Sequence, residues 1–180
     1  MTTQSNALKG THALAEEIDW EAAYKEYLPR VYNFFRYRVG TRTLAEDLTA
    51  ITFEKAWRGR SRFRHDLSAF STWLFTIARN VGIDYFRRKE RDVSLEAVQE
   101  PADSVSLEET VLRNHDVARL NTLLSQLSAR ERELVAFKYG AGLNNREIAH
   151  LTHLSASNVG IILYRVVEKL HVELEDYHER

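Results

Sequence analysis

Between Trp73 and Arg91 the chain reads WLFTIARNVGIDYFRRKER, and this stretch constrains the fold more than any other. At 100° per residue, Phe70, Trp73, Leu74, Ile77, Ala78, Val81 and Tyr85 gather on one side of a helix. Phe75, Arg79, Ile83, Phe86 and Arg87 gather on another, and Arg87, Arg88, Lys89 and Arg91 close the segment. A helix with one apolar stripe packs on a core and turns its other side to water. A helix with two needs a second partner. Two prolines and seven glycines in 180 residues leave such periodic segments nearly uninterrupted, so the expected fold is all-α.

Hydrophobic residues make up 44% of the chain and aromatics 11%, enough for packed interiors and against global disorder. The absence of cysteine excludes a disulfide framework and thiolate metal sites, which fits a reducing cytoplasm. No apolar run is long enough to span a bilayer, and MTTQSNALKGTHALAEE lacks the pattern of a signal peptide, so no membrane insertion is expected. The net charge of −1 conceals an uneven distribution. Residues 1–92 carry sixteen basic against twelve acidic side chains, residues 93–118 one against six, and residues 119–180 eight against eight. A basic block, an acidic joint and a neutral block follow one another.

Helix signals divide the chain accordingly. Asp19 is placed to cap a helix through WEAAYKEYLPRVYNFFRYRV, with Pro29 kinking or dividing it and Gly40 ending it. Thr43–Glu46 reads as a capping box opening a second helix that stops near Gly59. A basic loop follows, and Ser68 starts the third helix. From Val93 to Leu107 the period is lost, and proline, serines and acids give a linker reaching at most about 50 Å. A fourth helix is expected over residues 108–126, then capping boxes at Ser128–Glu131 and Asn144–Glu147, and a cap at Ser155. The domains read as a tail (1–18), a helical domain (19–92), the flexible acidic linker (93–107) and a second helical domain (108–180).

Within the second domain, NREIAHLTHLSASNVGIILYR has the form of a helix-turn-helix: a short helix, a turn at Thr152–Leu154 and a second helix from Ser155. Ile148, Ala149, Leu154, Val159 and Leu163 supply the inward contacts. In that motif the second helix enters the major groove and its first turns touch base edges. A plain helical hairpin would use the same apolar spacing. Arginines interleaved with aromatics across residues 53–92 suit single-stranded nucleic acid, on which bases stack for about 1–3 kcal/mol each. The bland alternative is a solvated basic face, with Asp84 and Arg88 as a surface pair. No catalytic motif is present. GAGLNN follows no strand, and EKLH and EDYH share one helix with no facing glutamates, so no metal, cofactor or enzymatic chemistry is expected.

Taken together, residues 20–92 and 119–172 resemble the extracytoplasmic-function (ECF) sigma factors of bacterial RNA polymerase. LAEDLTAITFEKAW is similar to the helix that grips the polymerase clamp, FSTWLFTIARNVGIDYFRRKER to the segment that melts and reads the −10 element, and the run from Leu127 to Leu170 to the domain that reads the −35 element. The resemblance implies two small helical domains, a region 2-like bundle and a region 4-like helix-turn-helix. It implies core RNA polymerase and promoter DNA as partners, an anti-sigma factor besides, and a cytoplasmic setting.

Carried over residue by residue, polymerase contact falls to Leu44, Asp47, Leu48, Phe53 and Trp57; the −10 strand to Trp73, Arg79, Asn80, Asp84, Arg87 and Arg88; and the −35 element to Arg146, Ser155, Ser157, Asn158 and Arg165. Two departures stand out. Ala50 and Ile51 replace a common Gln-Glu, and Val159-Gly160-Ile161-Ile162 lacks two cations usual in the reading helix. Asn158 is placed to read adenine instead, and Arg165 to meet a phosphate. Two rivals remain: a stand-alone helix-turn-helix regulator, which would bind duplex sites without polymerase, and a sigma-like decoy, which would bind polymerase without reading promoters.

Overall fold

The computed structural model describes residues 18–64, 69–93 and 119–178, and their regular structure is helical throughout. Helix α1 runs Trp20–Val39, α2 Arg42–Gly59 and α3 Phe70–Val93, with a 3-10 turn at Arg60–Arg62. Helix α4 covers residues 119–125. Helix α5, Ala129–Val135, continues into a π-helical turn at Ala136–Gly140; α6 is Asn145–Thr152 and α7 is Ala156–His178. Val93, read as the first residue of the linker, is the last of α3; the rest of the acidic linker and Ser68 lie outside the described residues, as does the expected start of the fourth helix.

Local chemistry explains most boundaries. The Asp19 carboxylate accepts from the N–H groups of Glu21 and Ala22, satisfying donors that the first turn leaves open. Pro29 sits inside an unbroken α1, which ends where Gly40 takes φ +78°, a conformation natural to glycine. The box expected at Thr43–Glu46 does not form. Helix α2 begins two residues earlier, at Arg42 behind Thr41, and the Glu46 carboxylate turns to the Arg42 guanidinium at 2.8 Å. The later capping boxes are present at Ser128–Glu131 and Asn144–Glu147, and the Ser155 hydroxyl accepts from the Asn158 N–H. Alanine in place of Asn144 is expected to cost about 1 kcal/mol, read as a lower denaturant midpoint at unchanged slope.

The first domain packs α1, α2 and α3 around Val31, Phe35, Ala45, Leu48, Leu74, Ala78 and Val81. In the second, α5 and α6 lean on α7 around Leu134, Ile148, Val159, Leu163 and Val166. These interiors join into one apolar cluster, because α1 lies along the π turn. Phe137 stacks on Phe34 with ring centres 4.7 Å apart, and the Arg30 Nε donates to the Ala141 carbonyl at 2.8 Å. YGAGLN reads as a loop, yet Tyr139 and Gly140 belong to the π turn, which presents Phe137 to α1. The Ser71 hydroxyl donates to the Glu147 carboxylate and ties α3 to α6.

Candidate polymerase and nucleic-acid interfaces

The two sides of α3 meet different partners. On one, Leu74, Ala78 and Val81 are buried in the first domain. Trp73 joins an aromatic cluster, its ring 5.0 Å from Phe63, 5.7 Å from Phe70 and 6.3 Å from Trp20. The second side is covered by the second domain at Phe75 and Arg79, while Ile83 and Arg87 stay exposed. Phe75 is fully buried, 5.9 Å from Phe34 and 6.4 Å from Phe137.

Four residues after Phe75, the Arg79 Nε lies 3.1 Å from a carboxylate oxygen of Glu133, and the Arg38 Nη1 lies 2.6 Å from the same oxygen. Glu133 is therefore a buried acid of the second domain held between two arginines of the first. Burial pushes the Arg38 guanidinium below its usual range, and the Glu133 charge opposes that shift.

Open along α3 is a stripe of Thr76, Asn80, Ile83 and Arg87, spaced by three and four residues, with Arg88 beside it and Lys89, Glu90 and Arg91 exposed at the helix end. Asp84 does not pair with Arg88. Its carboxylate lies 3.3 Å from the Arg87 guanidinium and 3.8 Å from the Lys55 ammonium, which links α3 to α2 and leaves Arg88 exposed. Of the six residues assigned to the −10 strand, Asn80, Arg87 and Arg88 share the open side. Asp84 is half-buried beside them, Trp73 is packed among aromatics, and Arg79 faces Glu133.

Helix α2 divides similarly. Leu48 is buried and Leu44 packs against the core, so these two hold the domain together. Phe53 lies 4.8 Å from Tyr24. Asp47 is exposed, and Trp57 is 50% exposed with the Arg60 guanidinium 4.0 Å over its ring and Trp20 at its edge. Ile51 extends the open stripe with Asp47, Glu54 and Arg58. It is a large apolar side chain on a solvent face, and its spacing of four from Asp47 was the signal for it.

The helix-turn-helix forms with the expected inward set. Ile148, Val159 and Leu163 are buried, and Ala149 and Leu154 pack against them. The chain reverses at His153, whose φ of 57° gives the left-handed conformation that ends α6. Arg146, Ser157, Asn158 and Arg165 are exposed, and Ser155 serves as the cap of α7.

The residues at the two missing cations have structural roles. A Cβ on Gly160 would stand 3.3 Å from the Asn145 amide, so glycine permits the close crossing of α6 and α7. Ile162 packs against the core. Ile161 and Tyr164, which residue-by-residue reasoning passed over, occupy the open side at 50% and 67% exposure.

A helical domain with a polar and cationic stripe, joined to a helix-turn-helix whose second helix faces solvent, has the form of a two-domain transcription factor. The sigma-70 region 2 family model matches residues 23–92, and the sigma-70 region 4 family model matches residues 118–170. The ECF RNA polymerase sigma factor SigM of Bacillus subtilis is 31% identical over 157 residues, which cover 82% of this chain and 90% of SigM. The RNA polymerase sigma factor CarQ of Myxococcus xanthus is 31% identical over 159 residues, covering 84% and 86%. Among solved structures, the sigma factor RpoE of Bartonella quintana, in complex with the anti-sigma factor NepR, superposes with a TM-score of 0.66 at 24% identity, covering 87% of this chain and 97% of that one. The chain belongs to the ECF sigma factors, which direct RNA polymerase to promoters for transcription initiation. None of its described helices is long and apolar enough to cross a membrane.

Proposed function

We propose that this sigma factor also takes part in separating the −10 strands, through the open side of α3. The observation that carries this reading is the stripe of Asn80, Ile83 and Arg87 beside Arg88, a row of polar, apolar and cationic side chains on one helix. Such a surface suits unpaired bases, whose faces stack while the cations meet the backbone. Trp73 borders this stripe, and Arg79 joins it when Glu133 lets go. Polymerase contact is assigned to the exposed side of α2, with Asp47 and Trp57 at its centre, Phe53 at its edge and Ile51 added to the set. Leu44 and Leu48 shape that helix from beneath. The −35 element is assigned to Arg146, Ser157, Asn158 and Arg165, with Ser155 fixing the start of the reading helix.

In this reading residues 19–92 and 108–180 are the two working units, the protein acts in the cytoplasm, and it performs no chemistry of its own. The complex of RpoE with the anti-sigma factor NepR supports an anti-sigma partner for this chain too.

The test is run-off transcription with purified core polymerase and genomic fragments from the host. Discrete transcripts are expected, and Asp47→Arg is expected to abolish them together with co-elution with core. Asn80→Ala with Arg88→Ala should transcribe poorly from duplex promoters yet recover on templates whose −10 region is already unpaired. Equal loss on both templates would remove strand separation from α3. Co-elution without transcripts would mark a decoy.

A further inference from the structure

The open side of α7 has an unusual chemistry for a surface that meets DNA. Over its first three turns the exposed side chains are Ser157, Asn158, Ile161, Tyr164 and Arg165, while Val159 and Leu163 are buried. Only Arg165 is charged, and it stands in the third turn. Guanine is commonly read by the forked or multiple donors of arginine or lysine on its O6 and N7, and cytosine by a carboxylate accepting from its N4 amino group. The first two turns offer neither. They offer one amide, Asn158, whose side chain makes no hydrogen bond among the described residues. They also offer one large apolar side chain, Ile161, 50% exposed.

Those two groups fit a particular pair of base edges. An asparagine amide can donate to the N7 of adenine and accept from its N6 amino group at once. Isoleucine has no polar atom to offer, and the apolar feature on the floor of the major groove is the thymine 5-methyl group. Ile161 follows Asn158 by three residues, so both lie on one side of the helix, about 4.5 Å apart along its axis. Base pairs are spaced by about 3.4 Å, so the two side chains address neighbouring pairs. Ser157 accommodates any base, and Tyr164 and Arg165, further along, are placed for the backbone.

We propose that Asn158 and Ile161 are the specificity-determining residues of the reading helix, and that they select an A·T step in the −35 element, Asn158 through an adenine and Ile161 through a thymine methyl. The proposal rests on the assignment of α7 to the −35 element.

The test uses the full chain with core polymerase on a promoter found by run-off transcription. Each −35 thymine is replaced in turn by deoxyuridine, which removes only the methyl group, and each adenine by 7-deazaadenine, which removes only N7. One deoxyuridine is expected to raise the half-saturating promoter concentration about fourfold, the worth of one buried methyl. One neighbouring 7-deazaadenine is expected to raise it about tenfold. Ile161→Ala should lose the response to deoxyuridine alone, and Asn158→Ala the response to 7-deazaadenine alone. Ile161 is exposed, so its replacement is expected to leave the fold intact, which an unchanged melting midpoint and unchanged co-elution with core polymerase verify.

A promoter that is transcribed but indifferent to both analogues overturns the proposal. So does an Ile161→Ala protein that remains sensitive to deoxyuridine, or a −35 element that requires guanines where these two side chains act. If no promoter is transcribed at all, the sigma reading of α7 fails first and this proposal falls with it.

Discussion

Alanine in place of Glu133 is expected to part the two domains. Its carboxylate sits 2.6 Å from Arg38 and 3.1 Å from Arg79, and the glutamate side chain is only 11% exposed. Removing it leaves two guanidinium groups beside each other without a counter-charge, and breaking a buried pair in this way costs about 3–5 kcal/mol. The arginines belong to α1 and α3 and the acid to α5, so separation returns both cations to water. Each domain keeps its own interior, Leu74, Ala78 and Val81 in one and Ile148, Val159 and Leu163 in the other. The radius of gyration from small-angle scattering should therefore rise, and transcription at limiting protein should rise with it, because Arg79 and Phe75 become available. A protein of unchanged radius that merely melts earlier would show that Glu133 supports packing and governs no opening.

This seam is also where the sequence was least legible. Segments defined by near neighbours were readable: α1 has the expected span, and Asp19, Ser128, Asn144 and Ser155 cap the helices assigned to them. The Thr43 box failed because the same glutamate had a competing partner one turn away, Arg42, which a four-residue pattern ignores. Glu133 gives no local sign at all. In ARERELV it looks like one more acid on a charged helix, and only its approach to Arg38, 95 positions earlier, makes it a buried ion.

The second side of α3 reads in the sequence as a surface that needs a partner. For Phe75 and Arg79 the partner in this structure is the chain's own second domain, while Asn80 and Arg88 keep the open side on which the nucleic-acid reading rests. Leu48 shows the same limit at the level of one residue. The motif marks it for polymerase, and its helical phase turns it into the core.

Gly140→Ala tests the seam by shape where Glu133→Ala tests it by charge. A Cβ at Gly140 would lie 2.8 Å from the Asn33 carbonyl oxygen and 2.9 Å from the Asn33 carbonyl carbon and the Phe34 nitrogen. All three are backbone atoms in the middle of α1, which cannot yield as a flexible side chain would. The methyl group is expected to push α1 off the π turn and to break the stacking of Phe34 on Phe137. Within its own domain alanine should be harmless, since Gly140 does not take a positive φ and alanine suits a helical turn better than glycine does. The expected protein is as extended in solution as Glu133→Ala, with a second domain that melts no earlier than before. The double variant decides whether the two act on one equilibrium. Changes to a shared contact do not add, so once either has opened the seam the other should extend the molecule no further. Two increments that summed would mean that charge and packing hold separate contacts, with no single closed state to release.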